Sequence, residues 1–390
     1  MRKYVSQKIE HMQPSGIRAF FDLVLGMKDV VSLGVGEPDF VTPWQIREAG
    51  IYSLEQGFTS YTSNKGLYKL RLSLHRFLKS RYGLDYSPED EILITVGVSE
   101  GLDLAVRSIV EPQDKVLIPT PCYVSYGPVV EMVGGVAVFI DTSKDNFKLT
   151  PRALEKNIDK HTKALILNYP TNPTGVSYTK KELLALNDVL QRYGILCISD
   201  EVYDMLSYDF EHTPFPALPK AKPRTVYLNG FSKGYAMTGW RIGYACGPKD
   251  IISAMTKIHQ YTIMCVSITS QMAACEALVS GVAAAQEMKH EYQKRREFFI
   301  AGLNRIGLSC VKPQGAFYAF ASVKNTGLSS MDFSRKLLER EKVAVVPGNA
   351  FGENGEGFVR MSYASGIDNL KEALLRIERF LKTKGRCNNG

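Results

Sequence analysis

From about residue 91, the chain alternates short apolar runs with segments of helical length, and this alternation restricts the possible folds more than any other feature. The apolar runs lie at 91–97, 115–119, 136–140, 163–170, 195–201, 225–231 and 241–248. Strands that are apolar on both faces and separated by helices are typical of a mainly parallel sheet covered on both sides. The sequence therefore predicts an α/β fold with a seven-stranded sheet flanked by helices.

One connection departs from the parallel pattern. Only nine residues, 232–240, separate the last two runs, whereas a parallel crossover needs about a dozen or more residues. We therefore expect the run at 241–248 to be the one antiparallel strand. We also expect the loop between these two strands to be tight and to carry functional residues.

The C-terminal third predicts a second, smaller α+β domain. A long charged amphipathic helix begins near Ala283, and strand-like runs follow at 316–322, 342–346 and 357–363. The domain boundaries predicted from this organisation are 1–45 for an N-terminal arm that is part of the small domain, 46–282 for the large domain, and 283–390 for the C-terminal small domain.

Composition limits the possible partners and the location. The 390 residues include 48 basic and 40 acidic side chains, a net charge of +8 with no charged tail, which gives nucleic-acid binding no support. No run approaches the ~18 apolar residues of a membrane span, and we find no signal-peptide core. The seven cysteines are scattered, without a C-x-x-C pair, as is typical of free thiols in a reducing compartment. We expect a cytoplasmic protein with no membrane partner.

Several familiar motifs are absent or incomplete. The segment 230–234, GFSKG, matches the G-x-S-x-G nucleophile elbow of serine hydrolases, but that motif requires a helix after the turn, and here another strand follows. Gly34-x-Gly36 lacks the third glycine and the helix of a dinucleotide site, and no P-loop or H-E-x-x-H motif occurs. The six histidines are isolated, so no metal site is predicted.

Lys233 is the strongest candidate for chemistry. It follows an apolar strand, with Ser232 before it and Arg241 eight residues later. Restricted solvation and a cationic neighbour disfavour the ammonium form and leave an amine able to attack a carbonyl, which is Schiff-base chemistry. The hydroxyl and the guanidinium would also suit a phosphate held near the lysine.

Three other strand ends carry groups suited to the same ligand. The segment 97–101 ends a strand and begins a helix, so free backbone N–H groups favour an anion there. Asp200 ends a buried strand, where a carboxylate could face a protonated pyridine nitrogen. Asn172 lies in the proline-rich loop 168–175, which would direct its amide into the same crevice.

Taken together, these residues resemble the pyridoxal-phosphate-dependent class I/II aminotransferases of fold type I, and among them the aspartate and aromatic aminotransferases. The motifs that carry the resemblance cover almost the whole chain in the order and spacing of the family. They are SLGVGEPDF at 32–40, Tyr61-Thr62 with Gly66, PCYVSY at 121–126, NYPTNPTG at 168–175, DEVY at 200–203, NGFSKGYAMTGWRIGY at 229–244, PQGAFY at 313–318 and VRMSYA at 359–364.

The resemblance assigns roles around the cofactor ring. Lys233 would form the internal aldimine and later move the proton between the substrate α-carbon and the cofactor. Asp200 would pair with the pyridinium nitrogen and keep the ring an electron sink. Asn172 and Tyr203 would bond the phenolic oxygen of the ring, and Tyr123 would stack on its face.

The resemblance also assigns the phosphate site. The main-chain amides of Ser99 and Glu100 would hold the phosphate, with side chains from Ser232 and Arg241. Tyr61 would reach this site from a second subunit, which implies a homodimer with shared active sites.

For the substrate, the resemblance implies that Arg360 grips the α-carboxylate in a two-pronged pair, helped by Gly36 and Asn172. Two positions depart from the family pattern. Gly230 stands where relatives often carry a hydroxyl, and Glu100 brings an acidic side chain close to the phosphate, so that it must point away or meet a cation.

The sequence thus predicts a transaminase that passes the amino group of an L-amino acid to a 2-oxo acid such as 2-oxoglutarate in a ping-pong reaction. Aspartate and aromatic amino acids are the expected substrates. One alternative on the same fold is a β-lyase, which would release pyruvate and ammonia. The others are the G-x-S-x-G hydrolase and a non-enzymatic regulator that retains a cofactor-binding domain.

Overall fold

A computed structural model of the protein describes residues 4–12, 16 and 27–387. The described strands are β1 (Val31–Ser32), β2 (Ile92–Thr95), β3 (Lys115–Thr120), β4 (Val136–Asp141), β5 (Thr162–Asn168), β6 (Leu196–Asp200), β7 (Thr225–Gly230), β8 (Gly243–Cys246), β9 (Tyr318–Ser322), β10 (Val343–Ala344), β11 (Val346–Pro347) and β12 (Phe358–Ser362).

The α-helices of the same ranges connect and cover these strands. They are α1 (Gln7–His11), α2 (Trp44–Glu55), α3 (Tyr68–Tyr82), α4 (Gly97–Ile109), α5 (Tyr126–Met132), α6 (Pro151–Lys156), α7 (Lys180–Tyr193), α8 (Lys249–Thr262), α9 (Ile268–Val279), α10 (Gly281–Arg305), α11 (Ser330–Glu341) and α12 (Ile367–Cys387).

The large sheet confirms the predicted α/β fold. Its seven strands lie in the order β2-β8-β7-β6-β5-β3-β4. Strands β3 to β7 pair in parallel, and β8 is antiparallel to both β7 and β2. The short β7–β8 connection leaves no room for a crossover helix, so β8 must return beside β7 in the opposite direction.

Apolar helix faces cover the sheet on both sides. On one side, Leu102 and Val106 of α4 and Met255 of α8 pack with strand residues such as Ile118 and Ile198. On the other side, the core includes Leu183, Leu186 and Leu190 of α7, against Leu165 and Leu167 of β5. This two-sided burial explains why the strand sequences are apolar at nearly every position.

Helix α7 illustrates how local signals set an element's limits. Thr179 accepts a hydrogen bond from the Glu182 N–H, and the Glu182 carboxylate accepts one from the Thr179 N–H, which forms a capping box. At the other end, Gly194 has φ 66°, a left-handed conformation that glycine adopts without a Cβ penalty. The helix therefore ends at the glycine that the sequence indicated.

The smaller sheets differ from the prediction in one respect. The single strand expected at 342–346 is two short strands, because β10 pairs with β1 while β11 pairs with β12. Val345, between them, is fully buried. The chain passes from one sheet to the other at this residue, and β9 completes an antiparallel sheet in the order β11-β12-β9.

The parallel strands bring polar residues to one edge of the large sheet. Asn168 and Asp200 end β5 and β6 in direct register with each other. Gly230 ends β7, and Lys233 follows three residues later. In an open α/β sheet, ligands bind outside the carboxyl ends of the strands, so this edge is where a site is expected.

Other sequence predictions have mixed outcomes. The six cysteines whose side chains the structure describes are free, whereas the Cys387 side chain lies outside that part. Within the described ranges, no single helix is long and apolar enough to cross a membrane, although α9 and α10, bent by 76°, would qualify as a pair by length and composition. The domain boundaries stay a prediction, and the 1–45 arm lies partly outside the described residues.

Candidate active site

A cavity of about 1060 Å³ opens at the carboxyl edge of β5, β6 and β7. All twelve predicted site residues belong to the described part of the chain, and ten of them line this cavity: Gly36, Ser99, Tyr123, Asn172, Asp200, Tyr203, Ser232, Lys233, Arg241 and Arg360. Glu100 and Tyr61 do not line it. Fragments more than 300 residues apart in sequence therefore meet around one space.

Lys233 lies on the turn between β7 and β8, and its amine donates a hydrogen bond to the main-chain oxygen of Gly36 (2.7 Å). Burial lowers the pKa of this amine to about 8, and the nearby Arg360 and Arg241 charges act in the same direction, whereas Glu37 opposes them. A lysine with a lowered pKa holds more of the nucleophilic free amine near neutral pH than an ordinary lysine does.

Strands β7 and β8 lie close together at Gly230, before the turn that carries Lys233. A Cβ on Gly230 would lie 3.1 Å from the Gly243 Cα and 3.2 Å from the Ile242 oxygen, so a side chain here would require a shift of a few tenths of an ångström. Ser232 is the hydroxyl nearest to Lys233 in sequence.

Asp200 is buried at the end of β6. The Tyr126 hydroxyl donates a hydrogen bond to its Oδ2 (2.7 Å), and the Val202 N–H donates to its Oδ1 (3.3 Å). Burial raises the pKa of the carboxyl group to about 6, while the hydrogen bond from Tyr126 opposes that shift. The group is thus mostly ionised at neutral pH although it is buried, and a cation beside it would stabilise it.

A chain of hydroxyl groups connects Tyr203 to the segment that carries Gly36. The Tyr203 and Tyr318 oxygens lie 2.8 Å apart, and the Tyr318 hydroxyl donates to the Gly36 oxygen (3.3 Å). Burial, followed by the influence of Tyr318, raises the pKa of Tyr203 well above its ordinary value. The Tyr203 hydroxyl therefore stays protonated and can donate to an acceptor in the cavity.

Arg360, in the middle of β12, is the buried cation on the opposite wall. Its Nη1 donates to Asn172 Oδ1 (3.0 Å) and its Nη2 to the Gly34 oxygen (2.5 Å). Its Nε, also buried, has no hydrogen-bond partner among the described residues. A buried guanidinium with unused donor capacity is suited to a carboxylate, which it can bind through two parallel hydrogen bonds.

The start of α4 forms the anion-binding end of the cavity. The helix starts at Gly97, whose φ of 72° is left-handed rather than helical, so the general pattern of helix ends leaves the N–H groups of Gly97 to Glu100 without helical partners. A Cβ on Gly97 would lie 3.0 Å from Nη2 of Arg241, so the guanidinium packs directly on this backbone. Together they present positive charge at one point.

Glu100 does not face the cavity because its carboxylate has two other partners. Oε1 lies 2.7 Å from Nδ1 of His259, and Oε2 accepts a hydrogen bond from the Val96 N–H (2.5 Å). Sequence analysis predicted that this side chain points away from the phosphate or meets a cation. In the structure it points toward α8.

Tyr61 is 82% exposed on the surface. It therefore makes no contribution to the cavity of its own chain, and its predicted role in a second subunit's site stays a prediction.

Sequence analysis did not identify Val98, Tyr126 and Tyr318 as residues of the site, although all three line the cavity. The two tyrosines lie inside motifs that carried the family resemblance, but their partners are 74 and 115 residues away.

The structure gives the hydrolase alternative no support. After β7 the chain forms turns, then the short helix Thr238–Trp240 and β8, so Ser232 precedes no α-helix of the kind a nucleophile elbow needs. Within the described residues, no group of three or more metal-ligating side chains occurs either.

Comparison with known proteins identifies one family. A family model described as aminotransferase class I and II matches residues 28–377. The chain belongs to the class I and II aminotransferases. Members of this family depend on pyridoxal phosphate, and the chain is accordingly a transferase of the EC 2.6.1 type.

Relatives of this aminotransferase carry several substrate names. It is 50% identical over 382 residues, or 98% of this chain and 99% of the relative, to YugH of Bacillus subtilis (strain 168), whose name calls it an aminotransferase and specifies no substrate. It is 41% identical over 384 residues, 97% of this chain and 99% of the relative, to aromatic-amino-acid aminotransferase 2 of Thermococcus litoralis. The aspartate aminotransferase of Thermus thermophilus, solved with maleate, superposes with a TM-score of 0.93 at 36% identity, over 97% of this chain and all of that one.

The residues of the cavity fit pyridoxal phosphate. Asp200 supplies a buried carboxylate for a ring nitrogen, and the start of α4 with Arg241 supplies donors for a phosphate. Lys233 supplies an amine with a lowered pKa, as an aldehyde partner requires. The donor set therefore matches the chemical groups of the cofactor.

Proposed function

We propose that this aminotransferase moves the amino group of aspartate or of an aromatic L-amino acid to 2-oxoglutarate in two half-reactions, with Lys233 as the residue that bonds covalently to the cofactor. The observation that carries this proposal is the placement of the Lys233 amine, which lies with Asp200 and Arg360 in one cavity.

The chain's own residues divide the work of the proposed reaction. Pyridoxal phosphate, when bound, supplies the aldehyde carbon that takes the amino group and a ring that withdraws electrons. Arg360 binds the substrate α-carboxylate, with Asn172 fixing its guanidinium and Gly36 adding a backbone contact. This grip directs the α-hydrogen toward Lys233, whose Nζ takes the proton.

The remaining residues hold and tune the cofactor. The Asp200 carboxylate would keep the ring nitrogen protonated, and the Tyr203 hydroxyl and the Asn172 amide would donate toward the phenolic oxygen. Tyr123 would cover one ring face. For the phosphate, the free N–H groups at the start of α4, those of Ser99 and Glu100 among them, would be the main-chain donors, together with the side chains of Ser232 and Arg241.

The charges of the cavity bear on the choice of substrate. Among the described residues that line it, the cations are Lys233, Arg241 and Arg360, and each already has a role. Arg107 pairs with Asp103 on the surface, and Lys65 bonds a main-chain oxygen elsewhere. The described lining residues therefore leave no further cation for a distal carboxylate of aspartate, whereas an aromatic side chain needs none.

Half-reactions with single amino acids test this proposal. Mixing the loaded enzyme with aspartate, tyrosine, phenylalanine or another amino acid is expected to change the cofactor absorbance without any oxo acid present, and 2-oxoglutarate is expected to reverse the change. Steady-state rates should give the parallel lines of a ping-pong scheme. Release of pyruvate and ammonia without an acceptor would instead establish the β-lyase.

We also propose that the enzyme is a homodimer and is cytoplasmic. Asn64 Nδ2 donates to the Met264 oxygen (2.7 Å), which joins the segment of Tyr61 to the loop beside Tyr261, and both segments carry other exposed apolar side chains, Phe58 and Met264 among them. Tyr61 and Tyr261 are 82% and 87% exposed. Exposed apolar side chains brought together in this way favour an interface, and Tyr61 can complete a neighbour's phosphate site only if the second copy binds there.

Hybrid dimers give a direct prediction. Lys233→Ala subunits and Tyr61→Ala subunits are each expected to have reduced activity alone. In the hybrid, one site carries both changes and the other carries neither, so mixing and reassociating the two variants is expected to restore about half of the wild-type turnover per hybrid dimer. If the mixture has only the average activity of the two separate variants, the shared site is wrong.

A further inference from the structure

The proposed phosphate site has an acidic side chain in its own helix. Glu100 lies in the first turn of α4, where a phosphate is proposed to bind the free N–H groups. A carboxylate and a phosphate at the same helix end compete for the same positive potential and repel each other. A mechanism that keeps the carboxylate away from this end is therefore needed.

The structure holds the Glu100 carboxylate with two donors. The Val96 N–H, which the helix leaves free, donates to Oε2 at 2.5 Å. His259 Nδ1 lies 2.7 Å from Oε1, and because a carboxylate can only accept, the ring donates from Nδ1. The glutamate thus caps the start of the helix through one carboxylate oxygen, and its other oxygen is bonded to His259.

His259 is placed by a different element. It lies in the last turn of α8, which packs beside α4, and its side chain is fully buried. Its own main-chain oxygen accepts from Ile263 and Met264 at the helix end. The Nε2 atom has no hydrogen-bond partner among the described residues. Among the described residues, the contact with Glu100 is thus the one polar contact of this ring. A second hydrogen bond at Nε2 therefore does not explain why a histidine is buried at this position.

We propose that His259 is a positioning residue for the cofactor phosphate: it holds the Glu100 carboxylate on the α8 side of the helix, so that the N–H groups of Gly97, Val98 and Ser99 remain available to the phosphate. This inference rests on the proposed phosphate site. It requires that the effect of His259 depend on the charge of Glu100 and on the phosphate group of the ligand.

The test compares binding of pyridoxal phosphate and of pyridoxal, which lacks the phosphate, to the apoprotein by fluorescence titration. His259→Leu is expected to weaken pyridoxal phosphate binding by about tenfold, because the freed carboxylate loses a buried donor and adds negative charge near the phosphate. Binding of pyridoxal is expected to change by less than about twofold, because that ligand lacks the group that the carboxylate repels.

Two further variants separate positioning from general damage. His259→Leu combined with Glu100→Gln is expected to recover the affinity of Glu100→Gln alone, because no charge is left to hold. His259→Asn, whose amide can occupy the place of Nδ1, is expected to bind like the wild type. If His259→Leu does not fold, His259→Gln, whose donor lies farther out, takes its place in the same comparison.

The results distinguish this inference from the proposed function. Equal pyridoxal phosphate affinity in the wild type and in His259→Leu, equal losses for both ligands, or a double variant as weak as His259→Leu would each overturn it. Failure of the wild-type apoprotein to bind pyridoxal phosphate at all would instead overturn the proposed function.

Discussion

Replacing Lys233 with alanine is expected to lower kcat for amino transfer by at least about 10⁴-fold, because one side chain supplies both the covalent attachment and the proton transfer. The fold should persist, since the change removes a buried amine whose one hydrogen bond among the described residues is to Gly36. Steady-state rates with the preferred amino acid, measured beside the thermal melting temperature, check this expectation.

The matched control is Lys233→Arg. Arginine preserves the positive charge and much of the length, but its guanidinium does not give up a proton near neutral pH and is no nucleophile. We therefore expect a loss as large as that of the alanine variant. If Lys233→Arg keeps more than about one hundredth of the wild-type kcat, charge rather than amine chemistry is the contribution of this position.

Asp200→Asn should have the second largest effect, a fall in kcat of about 10² to 10⁴-fold, because removing one partner of a buried ion pair costs roughly 3 to 5 kcal/mol. Asparagine has the same shape and its amide oxygen can still accept from Tyr126, so the change removes the charge and, of the two hydrogen bonds, only the long one from the Val202 N–H. The cofactor is expected to bind less tightly and to lose the absorbance band of its protonated ring.

Tyr126→Phe provides the comparison for Asp200. It removes the hydroxyl that donates to Oδ2 at 2.7 Å and leaves the carboxylate in place. Because this hydrogen bond opposes the rise in the pKa of Asp200, its loss should weaken ring protonation only in part, with a fall in kcat of about tenfold. A larger loss in Tyr126→Phe than in Asp200→Asn would contradict the assigned roles.

The fold was predictable where burial alone decides it. The strands of the large sheet are buried on both faces, so their apolar runs were visible in sequence, and the nine-residue link between β7 and β8 set the direction of β8. The small sheets were less predictable. The run at 342–346 has uniform apolar character, and nothing local shows that Val345 separates two strands with different partners.

The site was predictable where a motif fixes both the residue and its local backbone. Lys233, Asp200 and Arg360 were located in this way, and the structure brings them to one cavity. The partners of these residues were not predictable, because each contact joins distant segments. Tyr126 meets Asp200 across 74 positions and His259 meets Glu100 across 159, and only the packing of helices against the sheet brings them together.

The most direct test of the account is to identify the residue that carries the cofactor. The purified protein is loaded with pyridoxal phosphate, reduced with borohydride to make the attachment permanent, and digested for peptide mass spectrometry. The account predicts one modified lysine, Lys233, and no attachment in the Lys233→Ala variant. Attachment at another lysine, or none in the wild type, would contradict it.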